Sequence, residues 1–149
     1  MLNAIVYPFI MLLAGIGIPV MAALNGHLGL KLGSSALATV IVFFVGLVVS
    51  LTYLAQTDTE FNKLFSPNIA WYFYFGGALV AFYILSITWV SPKYGIGNAV
   101  SFVLLGQLIA ISAIDHFGLL GARQTVLDHS RILGLILMGI GVFLVIKRS

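Results

Sequence analysis

The sequence predicts an all-α integral membrane protein, a bundle of five transmembrane helices forming one domain over residues 1–149. Three observations predict it. Seven Lys or Arg and four Asp or Glu are the only charged residues among 149. A soluble domain carries about a quarter charged residues, and so few cannot solvate the surface of a globule. Hydrophobic residues make up 61% of the chain, with a mean hydropathy of +1.14. The charges also divide it into five uncharged runs: 1–30, 32–57, 64–92, 94–114 and 132–146. A helix crosses a hydrocarbon core of about 30 Å with roughly 20 apolar residues. Residues 40–50 are apolar without the alternation of a membrane barrel strand, so the spans are helices.

The first span is expected over residues 5–24. No cation precedes it and four more spans follow, so it does not read as a signal peptide. Near its centre Pro19 lacks an N–H, and its ring clashes with the carbonyl of Gly15. An acceptor freed at that depth is tolerated only against protein or a water-filled cavity. The segment is either a packing kink or a broken-helix binding site.

A connection over residues 25–35 leads to the second span, 36–54. The third span covers 71–90. Trp71 and Tyr72 open it and Trp89 closes it, about 27 Å apart on a helix, matching two interfacial aromatic belts. Gly77 and Ala81 form a small-xxx-small pair within it.

After a connection over 91–96, with Gly95-Ile-Gly97 read as loop, the fourth span covers 97–114 and extends to 117. Gln107 lies midway along it, as either interhelical glue or a substrate contact, with Ser112 five residues on. Asp115 is followed by the apolar Phe117-Gly-Leu-Leu120. A carboxylate inside an apolar span costs roughly 2.5–3.5 kcal/mol on insertion scales, which calls for a function or a partner.

The fifth run, 132–146, is worth only about 22 Å. Its span must therefore start near residue 126, drawing Asp128, His129 and Arg131 into the membrane boundary. Thr125 and Asp128 fit a capping pattern, and Asp128 and Arg131 are neighbours on one helix face. Gly134 and Gly141, two turns apart, share a face suited to close helix contact.

Five spans place the termini on opposite sides. Lys63, Arg123 and Arg131 then fall on one side, and Lys31, Lys93, Lys147 and Arg148 on the other. Three against four sets no direction under the positive-inside rule, which points to insertion both ways.

The residues exclude several functions. There is no cysteine. His116 and His129 stand thirteen apart, which is no metal signature, and no nucleotide-binding loop, catalytic triad or carboxylate pair can be placed. The scattered cations form no stripe for nucleic acid. The chain is read as no enzyme, with no cofactor and no metal. Its expected partners are a small-molecule substrate, the lipid bilayer and a second copy of itself.

Three stretches carry a resemblance: Asn25-Gly-His-Leu28; Gly106-Gln-Leu108 with Ile114-Asp-His-Phe-Gly118; and Ser130-Arg-Ile-Leu-Gly134 running to Gly139-Ile-Gly-Val142. On these the chain resembles one half-repeat of the drug/metabolite transporter superfamily, in its short five-helix YdcZ-like, EamA-related branch. The spacing of Gly134 to Gly141-Val142 is also similar to the last helix of small multidrug resistance proteins, where that face makes the dimer contact. Those pumps carry a glutamate in the first helix, whereas the first 57 residues here hold no carboxylate. Their proton-coupled export of quaternary cations is therefore not implied.

The resemblance implies an inner-membrane secondary transporter, an exporter working by alternating access as an antiparallel homodimer with the substrate between the chains. The alternatives are a dual-topology ion channel and an accessory subunit of a heterodimeric transporter. The expected substrate is a small neutral or zwitterionic metabolite. Its candidate contacts are Gln107, Gly15, Pro19, Asn25, Tyr83, Trp89 and Ser112. Asp115, His116 and Arg131 are candidates for proton exchange or gating, and Gly134 and Gly141 for the dimer contact.

Overall fold

The computed structural model describes residues 2–58, 69–122, 124–125 and 128–146. Helix α1 runs Leu2–Leu32 and α2 Ser35–Leu54. A 3-10 turn, Trp71–Phe75, leads into α3, Gly76–Tyr94. Helix α4 covers Ile96–Phe117, a short 3-10 turn Leu119–Gly121 follows, and α5 runs His129–Ile146. Four of these stretches have the length and composition to cross a membrane, and α5 adds a shorter apolar stretch, Ile132–Leu144. Large apolar side chains such as Phe9, Phe44, Phe82, Ile109 and Leu133 stand exposed on the helix surfaces, as lipid-facing residues do.

The chain forms two compact units, Met1–Lys93 and Tyr94–Ser149. In the first, α1 differs from expectation in two ways. It continues without interruption through Pro8 and Pro19, so no break separates two half-helices at Gly15–Pro19. It also absorbs most of the expected connection, leaving only Gly33 and Ser34 before α2.

The reason lies in local hydrogen bonding. Gly33 takes a left-handed φ of 66°. Its N–H donates to the Leu30 carbonyl at 3.2 Å, and the Ser34 N–H donates to the Gly29 carbonyl at 3.0 Å. These two bonds make a Schellman termination. Ser34 is also the N-cap of α2, its hydroxyl accepting from the Leu37 N–H at 3.2 Å. Lys31 sits in the last turn of α1, where a cation suits the helix dipole.

Polar and small residues that resemble a loop are thus one packed helix face. Ala22, Asn25, Gly26 and Gly29 are all buried, at helical spacing. On α3 the matching buried face is Ile84, Ile87, Thr88 and Ser91. Gly29 lies against Thr88 and Gly26 against Ser91 and Pro92, so α1 and α3 run antiparallel. The Ser91 hydroxyl donates to the Ala22 carbonyl at 3.3 Å. Helix α2 packs on α1 and buries Ala38 and Thr39.

The third span also differs from expectation at both ends. Its first turn is 3-10, and α3 then continues to Tyr94, so that Gly95 alone separates it from α4. Gly95 can do this because its φ is 88°, open to glycine at no steric cost. Ile96 and Gly97 are consequently helical rather than loop.

In the second unit α4 packs on α5, with Ala99, Ser112 and Val142 buried and Gly139 facing Leu105. Helix α4 ends at Gly118, left-handed at φ 61°. Helix α5 is described from His129, and the Asp128 carbonyl accepts its first bond, from the Ile132 N–H at 3.1 Å. The expected start at residue 126 lies outside the described residues.

Candidate functional site

A cavity of about 660 Å³ opens in the first unit, where the end of α1, the start of α2 and the last turns of α3 meet. Gly26, Gly29 and Gly33 form its wall on α1, where missing side chains leave backbone as surface. Ser34, Ser35 and Ala36 line it from the start of α2, and Leu85, Ser86, Thr88, Trp89, Pro92 and Lys93 from α3. The Lys93 ammonium stands over the Trp89 ring, 3.9 Å from its centroid. That is a cation–π arrangement made by two residues one turn apart. Among the described residues no carboxylate lines the cavity.

Its electrostatics follow from helix ends. The first N–H groups of an α-helix have no acceptor inside the helix and carry partial positive charge. At α2 the Ser34 cap satisfies Leu37, which leaves the first-turn N–H groups of Ser35 and Ala36. The opposing end of α1 is partly neutralised, because the Gly29 and Leu30 carbonyls already accept from Ser34 and Gly33. Lys93 adds a full positive charge to the lining, set against the partial negative C-terminal ends of α1 and α3.

Among the described residues of this unit, three buried polar atoms have no hydrogen-bond partner: Asn25 Nδ2, Tyr83 Oη and Thr88 Oγ1. Burying such a group unpaired costs about 1–3 kcal/mol, so native structures keep few of them. Thr88 is only 1% exposed and lines the cavity.

Among the expected substrate contacts, the structure brings Trp89 into this cavity, and Asn25 adjoins its wall at Gly26. Tyr83 is half-buried on α3 but does not line it. Gly15 is exposed and Pro19 half-buried farther up α1, also away from the lining. Gln107 and Ser112 belong to the other unit. Gln107 is exposed, and the Ser112 hydroxyl donates within its own helix to the Leu108 carbonyl at 2.7 Å.

Asp115 and His116 are half-buried at the end of α4. Their carbonyls hold the following segment: Asp115 accepts from the Thr125 N–H at 2.8 Å, and His116 from Gln124 Nε2 at 3.1 Å. Arg131 lies in the first turn of α5, its side chain outside the described residues. At Gly134 and Gly141 an added β-carbon would meet nothing within 4 Å. Among the described residues no group of His, Asp or Glu could hold a metal ion.

Sequence reasoning passed over Lys93, Ser34, Ser35, Ser86, Thr88 and the Gly26–Gly29–Gly33 wall. Two signals could have found them. One is a Gly-Ser pair joining two apolar runs, a C-cap followed at once by an N-cap. The other is Trp and Lys at i, i+4 on the third span.

A family model, DMT_YdcZ, described as "Putative inner membrane exporter, YdcZ", matches residues 6–144. No curated protein and no solved structure matches the chain.

Proposed function

The chain belongs to the DMT_YdcZ family of multi-pass inner-membrane proteins, and from that premise we propose that it exports a small polar metabolite by alternating access as an antiparallel dimer. The observation that carries the reading is the cavity of about 660 Å³, partly polar and mostly apolar in its lining, where α1, α2 and α3 meet at one end of a membrane unit whose outer surfaces are apolar. That volume suits a small molecule, since ligand pockets run about 300–1,000 Å³. Lys93 and the serines at the ends of the spans can hold the polar part of such a solute, while Leu85, Trp89 and Pro92 cover its apolar part.

The dimer rests on two further observations. Gln107 is exposed midway along α4 and makes no hydrogen bond among the described residues. An amide at that depth needs a partner, which a second chain or a solute held between chains provides. The near-equal Lys/Arg count permits the opposite insertion that an antiparallel pair requires. A mid-depth residue from each chain then converges on the two-fold axis, whereas Asp115 near one boundary is repeated at both faces. In this reading Gln107 contacts the solute, Asp115 with His116 and Arg131 gates or exchanges protons, and Gly134 with Gly141 makes the dimer contact.

The test is a thermal-shift screen of the purified protein against a metabolite library, followed by efflux of the hits from loaded proteoliposomes. Efflux above protein-free vesicles, reduced by Trp89→Ala, is expected. Hits that bind but never cross would overturn export, and stepwise ionic currents in a planar bilayer would replace it with a channel.

A further inference from the structure

We infer that the cavity between α1, α2 and α3 is an oxyanion site, in which a carboxylate or phosphate group is held by the Lys93 ammonium and the free first-turn N–H groups of Ser35 and Ala36. The inference deepens the export reading by giving the solute an anionic head, where the sequence led to the expectation of a neutral or zwitterionic one, and it rests on that reading only for the solute's passage, not for its binding.

Four observations converge on one space. Among the described residues Lys93 is the sole charged residue in the lining, and its ammonium favours an anionic group over a cation. The start of α2 supplies N–H groups with no acceptor inside the helix. Thr88, 1% exposed, keeps beside this space a hydroxyl with no partner among the described residues. The Gly26–Gly29–Gly33 wall lets a ligand approach the backbone closely. The other side of the cavity is apolar, with Leu85, Trp89 and Pro92, so the fitting ligand carries a compact apolar or aromatic body behind its anionic head.

The position of Lys93 supports this. Its ammonium rests on the Trp89 ring, a contact worth little to an exposed lysine and readily exchanged for a charge-assisted bond to an oxyanion. Trp89 therefore reports on occupancy. The chain has two tryptophans, so a Trp71→Phe background isolates its emission.

The same chemistry has two sources, a free solute and an anionic lipid headgroup, and the experiment separates them. Protein in phosphatidylcholine nanodiscs is titrated with phenylacetate, phenyl phosphate, phenylacetamide and phenethylamine while Trp89 emission is followed. A second set of discs contains phosphatidylglycerol. The expected result is a saturable response to the two anions and none to the amide or amine. Lys93→Met should weaken it about tenfold or more, the scale of a lost charge-assisted bond, and Lys93→Arg should retain most of it.

Ser35 offers a backbone test. Ser35→Pro removes one N–H at the first helical position, where proline is well tolerated. Ser34 before it is already extended at φ −151°, ψ 112°, as a residue preceding proline must be. Ser35→Pro should weaken anion binding, and Ser35→Ala should do so much less. Should Lys93→Met fail to fold, the Ser35 pair still decides.

A response to phosphatidylglycerol that free anions neither reproduce nor compete with supports the oxyanion site and assigns it to lipid, which overturns the export role of this cavity. Anions that bind but do not cross proteoliposomes overturn export alone. Equal responses to amide or amine that survive Lys93→Met, or no response to any probe, overturn the oxyanion site.

Discussion

Gly26 on α1 lies so close to Ser91 on α3 that a β-carbon placed on it would come within 2.6 Å of the serine Oγ and 3.1 Å of Pro92 Cγ. Ser91 cannot simply turn away, because its hydroxyl is engaged with the Ala22 carbonyl. Gly26→Ala should therefore destabilise the fold by about 1–3 kcal/mol, the usual cost of overpacking. Gly15 is the internal control. It is helical and open, so Gly15→Ala should be neutral or stabilise by up to about 1 kcal/mol. Thermal unfolding in mild detergent compares them, and equal losses at the two glycines would remove the close approach from the account.

Thr88 separates stability from binding. Its Oγ1 is buried without a partner, so Thr88→Val, nearly the same shape, deletes an unsatisfied group. Stability should stay the same or rise by up to about 1–3 kcal/mol, read as an unchanged or higher unfolding temperature, while affinity for the anionic probes changes little, because the hydroxyl has no accessible surface. A clear loss of stability would mean that the hydroxyl is already satisfied in the folded protein.

At Gly134 and Gly141, added atoms meet nothing within the chain. The double change to Ile should leave the monomer folded, by circular dichroism, and dissociate the dimer in mild detergent, because close backbone approach is what small residues provide between membrane helices. A double variant that still runs as a dimer would place the contact elsewhere.

Orientation is tested at Ser149. Reporter fusions there should be active on both sides of the membrane, and two or three Lys added to one side should polarise insertion. Activity on one side only would reject the antiparallel pair.

Gln107→Leu should abolish transport while leaving folding intact, since Leu is similar in size and suits lipid or protein surroundings. Asp115→Asn should preserve binding and alter the rate of transport or its response to pH. Unchanged transport by Gln107→Leu, with the dimer intact, would leave Gln107 as interhelical glue.

By itself the sequence determined the membrane class and the helical character of the chain, because eleven charges among 149 residues leave no other solvent and lipid permits few backbones. Charges and aromatics stand near several of the points where helices begin or end in the structure, as at Leu54, Trp71 and Phe117. Where the sequence misled, between Asn25 and Leu32, the deciding forces were not local. Asn, His and two glycines resemble a connection until α3 packs against the glycines and turns them into a contact face and a cavity wall. The site was hidden for the same reason. Lys93 and Ser35 are 58 positions apart and each is unremarkable alone; a lysine closing a span and a serine opening one are common boundary residues. Only the antiparallel packing of α1 on α3, with a two-residue turn into α2, brings the lysine and the helix start to one cavity, and that pairing depends on shape across distant segments, which no periodicity along the chain records.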